Sequence, residues 1–121
     1  MTPGNLMYKN EQVYLAHTTM RHDKKLSRIE FWVINNFGML VTCAFRQKQH
    51  ANDLHGVTPV RAKDIRSWCY DDPRAVAKAI NDRWEYDPLR PDKVVALYHN
   101  SGQGEHIHLQ VHPRTILKVI K

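Results

Sequence analysis

The chain has 121 residues, 42% hydrophobic and 25% charged, with a formal charge of +6 when histidine is counted neutral. Those values suit one ordinary globular domain, 1–121, with a real hydrophobic core, and they argue against a disordered or a disulfide-stapled chain. Cys43 and Cys69 are the only cysteines, and without a C-x-x-C pair they argue against a thiolate zinc knuckle or a redox motif.

Residues 1–25 are polar and weakly patterned, an expected arm with a short strand around Tyr8 or Val13–Leu15. Residues 26–37 predict an amphipathic helix: Leu26, Ile29, Val33 and Phe37 recur at helical spacing, and Gly38 is a good stop. Residues 39–45 predict a buried strand leading into Arg46. Residues 47–59 predict a loop, and the alternation over 60–68 predicts a second strand. Asp71 or Asp72 can cap a helix with Pro73 in its first turn and Ala75, Val76, Ala79, Ile80 and Trp84 as its apolar stripe. Residues 93–98 predict a third strand. The short Gly-containing turn 100–104 predicts an antiparallel hairpin to the strand after it, and residues 115–120 predict a short last strand. The fold class expected is α+β, a small mainly antiparallel sheet with helices packed on one side.

The segment 104–112 carries the chemistry. Side chains alternate across a strand, so His106, His108, Gln110 and His112 share one face and Ile107, Leu109 and Val111 the other. The plain reading is a half-exposed strand with a polar outer face. The sharper one is a reactive lining built around a metal. Further ligands must come from elsewhere, and His50, His55 and Asp64 lie in or beside the loop that feeds the second strand. Asp64 shares a face with Ala62, and a carboxylate there needs a partner: a metal, or Arg61 or Arg66.

Read together, Thr42-Cys43-Ala44-Phe45-Arg46, a following His, Arg61-Ala62-Lys63-Asp64-Ile65 and Glu105-x-x-His108 resemble the zinc D-alanyl-D-alanine peptidase group. That group includes the dipeptidases of glycopeptide resistance, phage endolysins and the hedgehog fold. The order holds over residues 39–112, and His-Ile-His-Leu-Gln-Val is similar to small prophage-borne members. The resemblance implies zinc held by His55, Asp64 and His108, with Arg46 stabilising the developing oxyanion. It implies Glu105 as general base or, as in members with His-x-His, His106 near the attacking water. Strand parity favours His106, which shares the face of His108. The spacing from His55 to Asp64 is longer than usual for the group, Val60 stands where a Gly is usual, and His50 is an alternative ligand. The implied activity is zinc-dependent hydrolysis of peptide bonds in bacterial peptidoglycan, with the stem peptide as substrate.

The basic balance suits an anionic cell-wall surface. The basic runs lack interleaved aromatics, so nucleic acid is not the expected partner. No segment predicts a membrane span and no signal-peptide core is apparent. The product is expected to be cytoplasmic when synthesised and to act on the wall after release. His106–Val111 also resembles the histidine-triad nucleotidyl transferases, where the second His attacks an α-phosphate, and His-x-His is the metal motif of HUH endonucleases. A non-catalytic phage or wall-binding module with the same fold is the third alternative.

Overall fold

The structure is a computed structural model and describes residues 1–44, 56, 58–100 and 104–118. Its elements are β1 (Leu6–Tyr8), α1 (Glu11–Thr19), α2 (Lys24–Phe37), β2 (Met39–Cys43), β3 (Ala62–Arg66), α3 (Pro73–Arg83), β4 (Trp84–Glu85), β5 (Ala96–Asn100), β6 (Glu105–Gln110) and β7 (Ile116–Leu117). Five strands form one sheet in the order β1-β2-β3-β6-β5, and β4 pairs with β7 in a separate ribbon. Among the described residues, only the β1–β2 pair of strands in the larger sheet is parallel. The fold is α+β with a mainly antiparallel sheet, as the sequence predicts.

Local chemistry starts and stops the helices. The Asp23 carboxylate accepts from the Lys25 amide, 2.8 Å away, and opens α2. Leu26, Ile29 and Val33 on that helix are fully buried. The helix ends at Gly38 with φ +76°, where a Cβ would lie 2.3 Å from the Thr2 carbonyl oxygen, so only glycine fits. Asp72 caps α3 by accepting from the Ala75 amide at 3.1 Å, with Pro73 in the first turn. The buried stripe of α3 is Val76, Ala77 and Ile80.

The sheet has two unlike faces. Val41, Ile65, Ile107 and Leu109 are fully buried on one of them. Lys63 shares the face of Ile65 and is also fully buried. Its ammonium pairs with Glu30 of α2 and donates to His17 Nδ1 of α1, 3.0 Å away. Helices α1 and α2 therefore cover this face, and the opposite face carries Asp64.

Three elements differ from expectation. β1 falls at Tyr8, where a short strand or arm is expected, but residues 11–19 form a helix, and Val13–Leu15 lie in α1. Asn10 caps that helix by accepting from the Val13 amide, and Tyr8 packs edge-on against Tyr14 and His17. Trp84 leaves the α3 stripe and enters β4, where its ring packs edge-on against Trp32 at 5.4 Å. β5 begins at Ala96 instead of Lys93. Cys43 and Cys69 are not joined, and both are half-buried.

Candidate active site

The register of three strands builds the site. Asp64 on β3, His108 on β6 and Leu97 on β5 form one rung, and Arg66, His106 and His99 form the next. Directly paired residues point to the same face, with Cβ atoms about 5 Å apart. The side chains of Asp64, His106 and His108 are only 13–16% exposed. Near the end of β2, Cys43 pairs with Asp64, and Thr42 donates its hydroxyl to the Asp64 carbonyl at 3.2 Å.

His108 sits between two acceptors. Its Nδ1 lies 2.9 Å from Asp64 Oδ1, and its Nε2 lies 3.2 Å from Gln110 Oε1. The Gln110 amide is oriented by its own Nε2, which donates to the Val94 carbonyl at 2.9 Å. A neutral imidazole carries one ring proton. If that proton faces Gln110, the Nδ1 lone pair and the Asp64 oxygen face one point, where a metal would fit. A metal-ligating histidine commonly donates its other N–H to a carbonyl or carboxylate, which is the role Gln110 can fill.

His106 stands beside this pair. Its Nε2 is 3.6 Å from Asp64 Oδ1, and its Nδ1 faces the Gly104 carbonyl at 3.3 Å. With the ring proton on Nδ1, Nε2 is left as an acceptor turned toward the carboxylate. His99 packs edge-on against His106 at 4.5 Å and against His108 at 6.1 Å. Burial lowers the His99 pKa, helped by the neighbouring His106 and His108, so the ring favours its neutral form.

Of the residues expected at the site, the structure brings together Asp64, His106 and His108. Glu105 is not with them. It falls on the other face of β6, where its Oε2 accepts from the Tyr98 hydroxyl at 2.5 Å. The strand is regular from Glu105 onward, so alternation separates Glu105 from His108. His112 lies past the end of β6 and approaches Asp87 at 3.8 Å instead of the cluster. Arg46, His55 and His50 lie outside the described residues. Neither alternative partner for Asp64 takes that role: Arg61 Nε donates to the Val111 carbonyl at 3.1 Å, and the Arg66 guanidinium lies over Trp68.

Sequence reasoning did not place His99, Arg66 or Leu97 in the site. The signal for His99 was available, because a short hairpin connection sets it opposite His106.

Among the described residues, no group of three or more His, Cys, Asp or Glu side chains is arranged to hold a metal ion. Asp64 and His108 are two donors of the right chemistry for zinc, which needs about three protein ligands and an open position. The third expected ligand, His55, lies outside the described residues. Among the described residues, no helix is long and apolar enough to cross a membrane. No protein-family model, curated protein or solved structure matches the chain.

Proposed function

We propose that this chain is a zinc-dependent hydrolase of peptide bonds in bacterial cell-wall peptidoglycan. The observation that carries the proposal is the His108–Asp64 pair, closed on its far side by Gln110 and flanked by His106. Asp64 and His108 are two donors of the chemistry that zinc takes, and Gln110 orients the second of them. The substrate class follows from the resemblance over residues 39–112 and agrees with a basic chain working on an anionic wall.

In this reading Asp64, His108 and His55 hold the metal. Zinc there would supply Lewis acidity, polarising the scissile carbonyl and lowering the pKa of water toward about 7. His106 takes a proton at Nε2 from the attacking water and returns it to the departing amine. Gln110 fixes the ring of His108 and so the direction of its Nδ1 lone pair. Arg46 steadies the oxyanion that forms on the former carbonyl.

The test is metal content by mass spectrometry on protein purified without a histidine tag, paired with hydrolysis of stem peptides. The expected stoichiometry is about one zinc per chain, lost in His108→Ala and Asp64→Ala. A metal-free protein whose fold and hydrolysis survive a chelator would overturn the proposal. Zinc binding without any peptide hydrolysis would instead mark a non-catalytic wall-binding module.

A further inference from the structure

The Arg66 guanidinium lies 4.5 Å from the ring centroid of Trp68, and that tryptophan is 73% exposed. A large aromatic ring left in solvent with a guanidinium over it is a preorganised arrangement, because the cation–π contact restricts where the fork can lie. Arg66 is paired with His106 in the β3–β6 register and lies one rung from Asp64, on the same face. Among the described residues it forms no ion pair with a carboxylate. Arg114, by contrast, is occupied by Asp87 through two hydrogen bonds of 2.9 and 2.7 Å. On the neighbouring rung Leu97, 43% exposed, sits beside His108 and offers an apolar contact on the same face.

We propose that Arg66, held on Trp68, is the element of this site that recognises a carboxylate of the substrate next to the scissile amide, and so sets specificity. The inference rests on the hydrolase reading above for the identity of the substrate. The guanidinium presents two parallel N–H donors, which match a carboxylate in a bidentate pair. Arg66 and Asp64 lie two residues apart on β3, about 7 Å along the strand, and one peptide unit of about 3.8 Å plus a hydrogen bond of about 2.9 Å spans that distance. A carboxylate within one residue of a carbonyl lying at Asp64 and His108 therefore falls in reach of Arg66. Two sources carry that group: the carboxyl terminus of the peptide and the side chain of an acidic residue beside the bond.

Isothermal titration of the full chain with three probes separates these sources. The probes are N-acetyl-D-alanyl-D-alanine, its carboxy-terminal amide, and N-acetyl-D-glutamyl-D-alanine amide. One or both of the carboxylate-bearing probes should bind at least about tenfold more tightly than the plain amide, the size expected for a hydrogen bond to a charged group. Arg66→Gln should remove that preference and leave the plain amide's affinity and the zinc content unchanged. Arg66→Lys should restore only part of it, and Trp68→Ala should weaken it while Trp68→Phe rescues it. Preference for the terminal acid assigns the terminus, and preference for the glutamyl probe assigns the side chain. Equal binding of all three probes, no binding of any, or a preference that survives Arg66→Gln would overturn the assignment. Arg66-dependent binding without hydrolysis of any probe or stem peptide would sink the hydrolase reading alone.

Discussion

Gln110 Oε1 stands 3.2 Å from Nε2 of His108, and the Val94 carbonyl holds the Gln110 amide in that orientation. With the ring proton on Nε2 donated to Gln110, the His108 Nδ1 lone pair is the one turned toward Asp64. A second-sphere partner of this kind typically changes metal affinity by about 10–100-fold. Gln110→Ala should therefore weaken zinc binding by about that factor in a competition assay with a chromogenic chelator. Unchanged affinity would show that the ring is oriented by other means.

The two candidates for the base are separated by strand parity. His106→Ala should retain the metal and lose about 10²–10⁴-fold in kcat, since its Nε2 faces the Asp64 carboxylate. Glu105→Gln should keep both the metal and most of the activity, since the Glu105 carboxylate is bonded to Tyr98 on the other face. Steady-state kinetics on a stem peptide with parallel metal analysis reads both variants. A large kcat loss in Glu105→Gln would mean that β6 begins irregularly when substrate is bound.

Lys63 and Glu30 form an ion pair in the core, with side chains 0% and 8% exposed. Breaking such a pair from one side strands a charge in a dry environment, which costs about 3–5 kcal/mol. Glu30→Ala should lower unfolding stability by an amount in that range in urea titrations. The double change Lys63→Met with Glu30→Leu should recover most of the loss, because no charge is then left unpaired.

His17 gives the fold a pH dependence of known sign. Burial, then Lys63 and then His22, lowers its pKa to about 4 from the ordinary 6.5. The groups around the ring are Lys63 of β3, Tyr8 of β1 and His22, with Glu30 of α2 on the far side of the Lys63 ammonium. Between pH 6.5 and about 4 the unfolded chain binds a proton on this residue and the native one does not. Its contribution is therefore complete above about 6.5, falls as the pH drops toward 4, and levels off below. His17→Gln should flatten the slope of urea midpoints between pH 6.5 and 4.5 relative to the parent chain. Parallel slopes would remove His17 from the account.

Much of this architecture is local and so was legible in the sequence. Asp72 with Pro73, the Leu26–Ile29–Val33 spacing and Gly38 mark α2 and α3 because caps and stripes depend on neighbours a few residues away. The hairpin of β5 and β6 follows from its short turn. The shared face of His106, His108 and Gln110 follows from the two-residue period of a strand. Residues 6–19 were harder to read, because α1 buries none of its residues fully and lacks a clear apolar stripe.

The site itself is only half a local object. Sequence alone determined that two histidines and a glutamine line one face of a strand, and that a carboxylate sits in a strand-like run far upstream. The tertiary structure decided that Asp64 pairs with His108, that Arg66 and His99 flank His106, and that Glu105 turns to Tyr98. It also decided that Lys63, flanked in sequence by Ala62 and Asp64, lies in the core against Glu30 and His17. The physical reason is that alternation assigns a residue to one of two faces, while register between strands many residues apart is set by the whole core, and a slip of one residue would exchange every face.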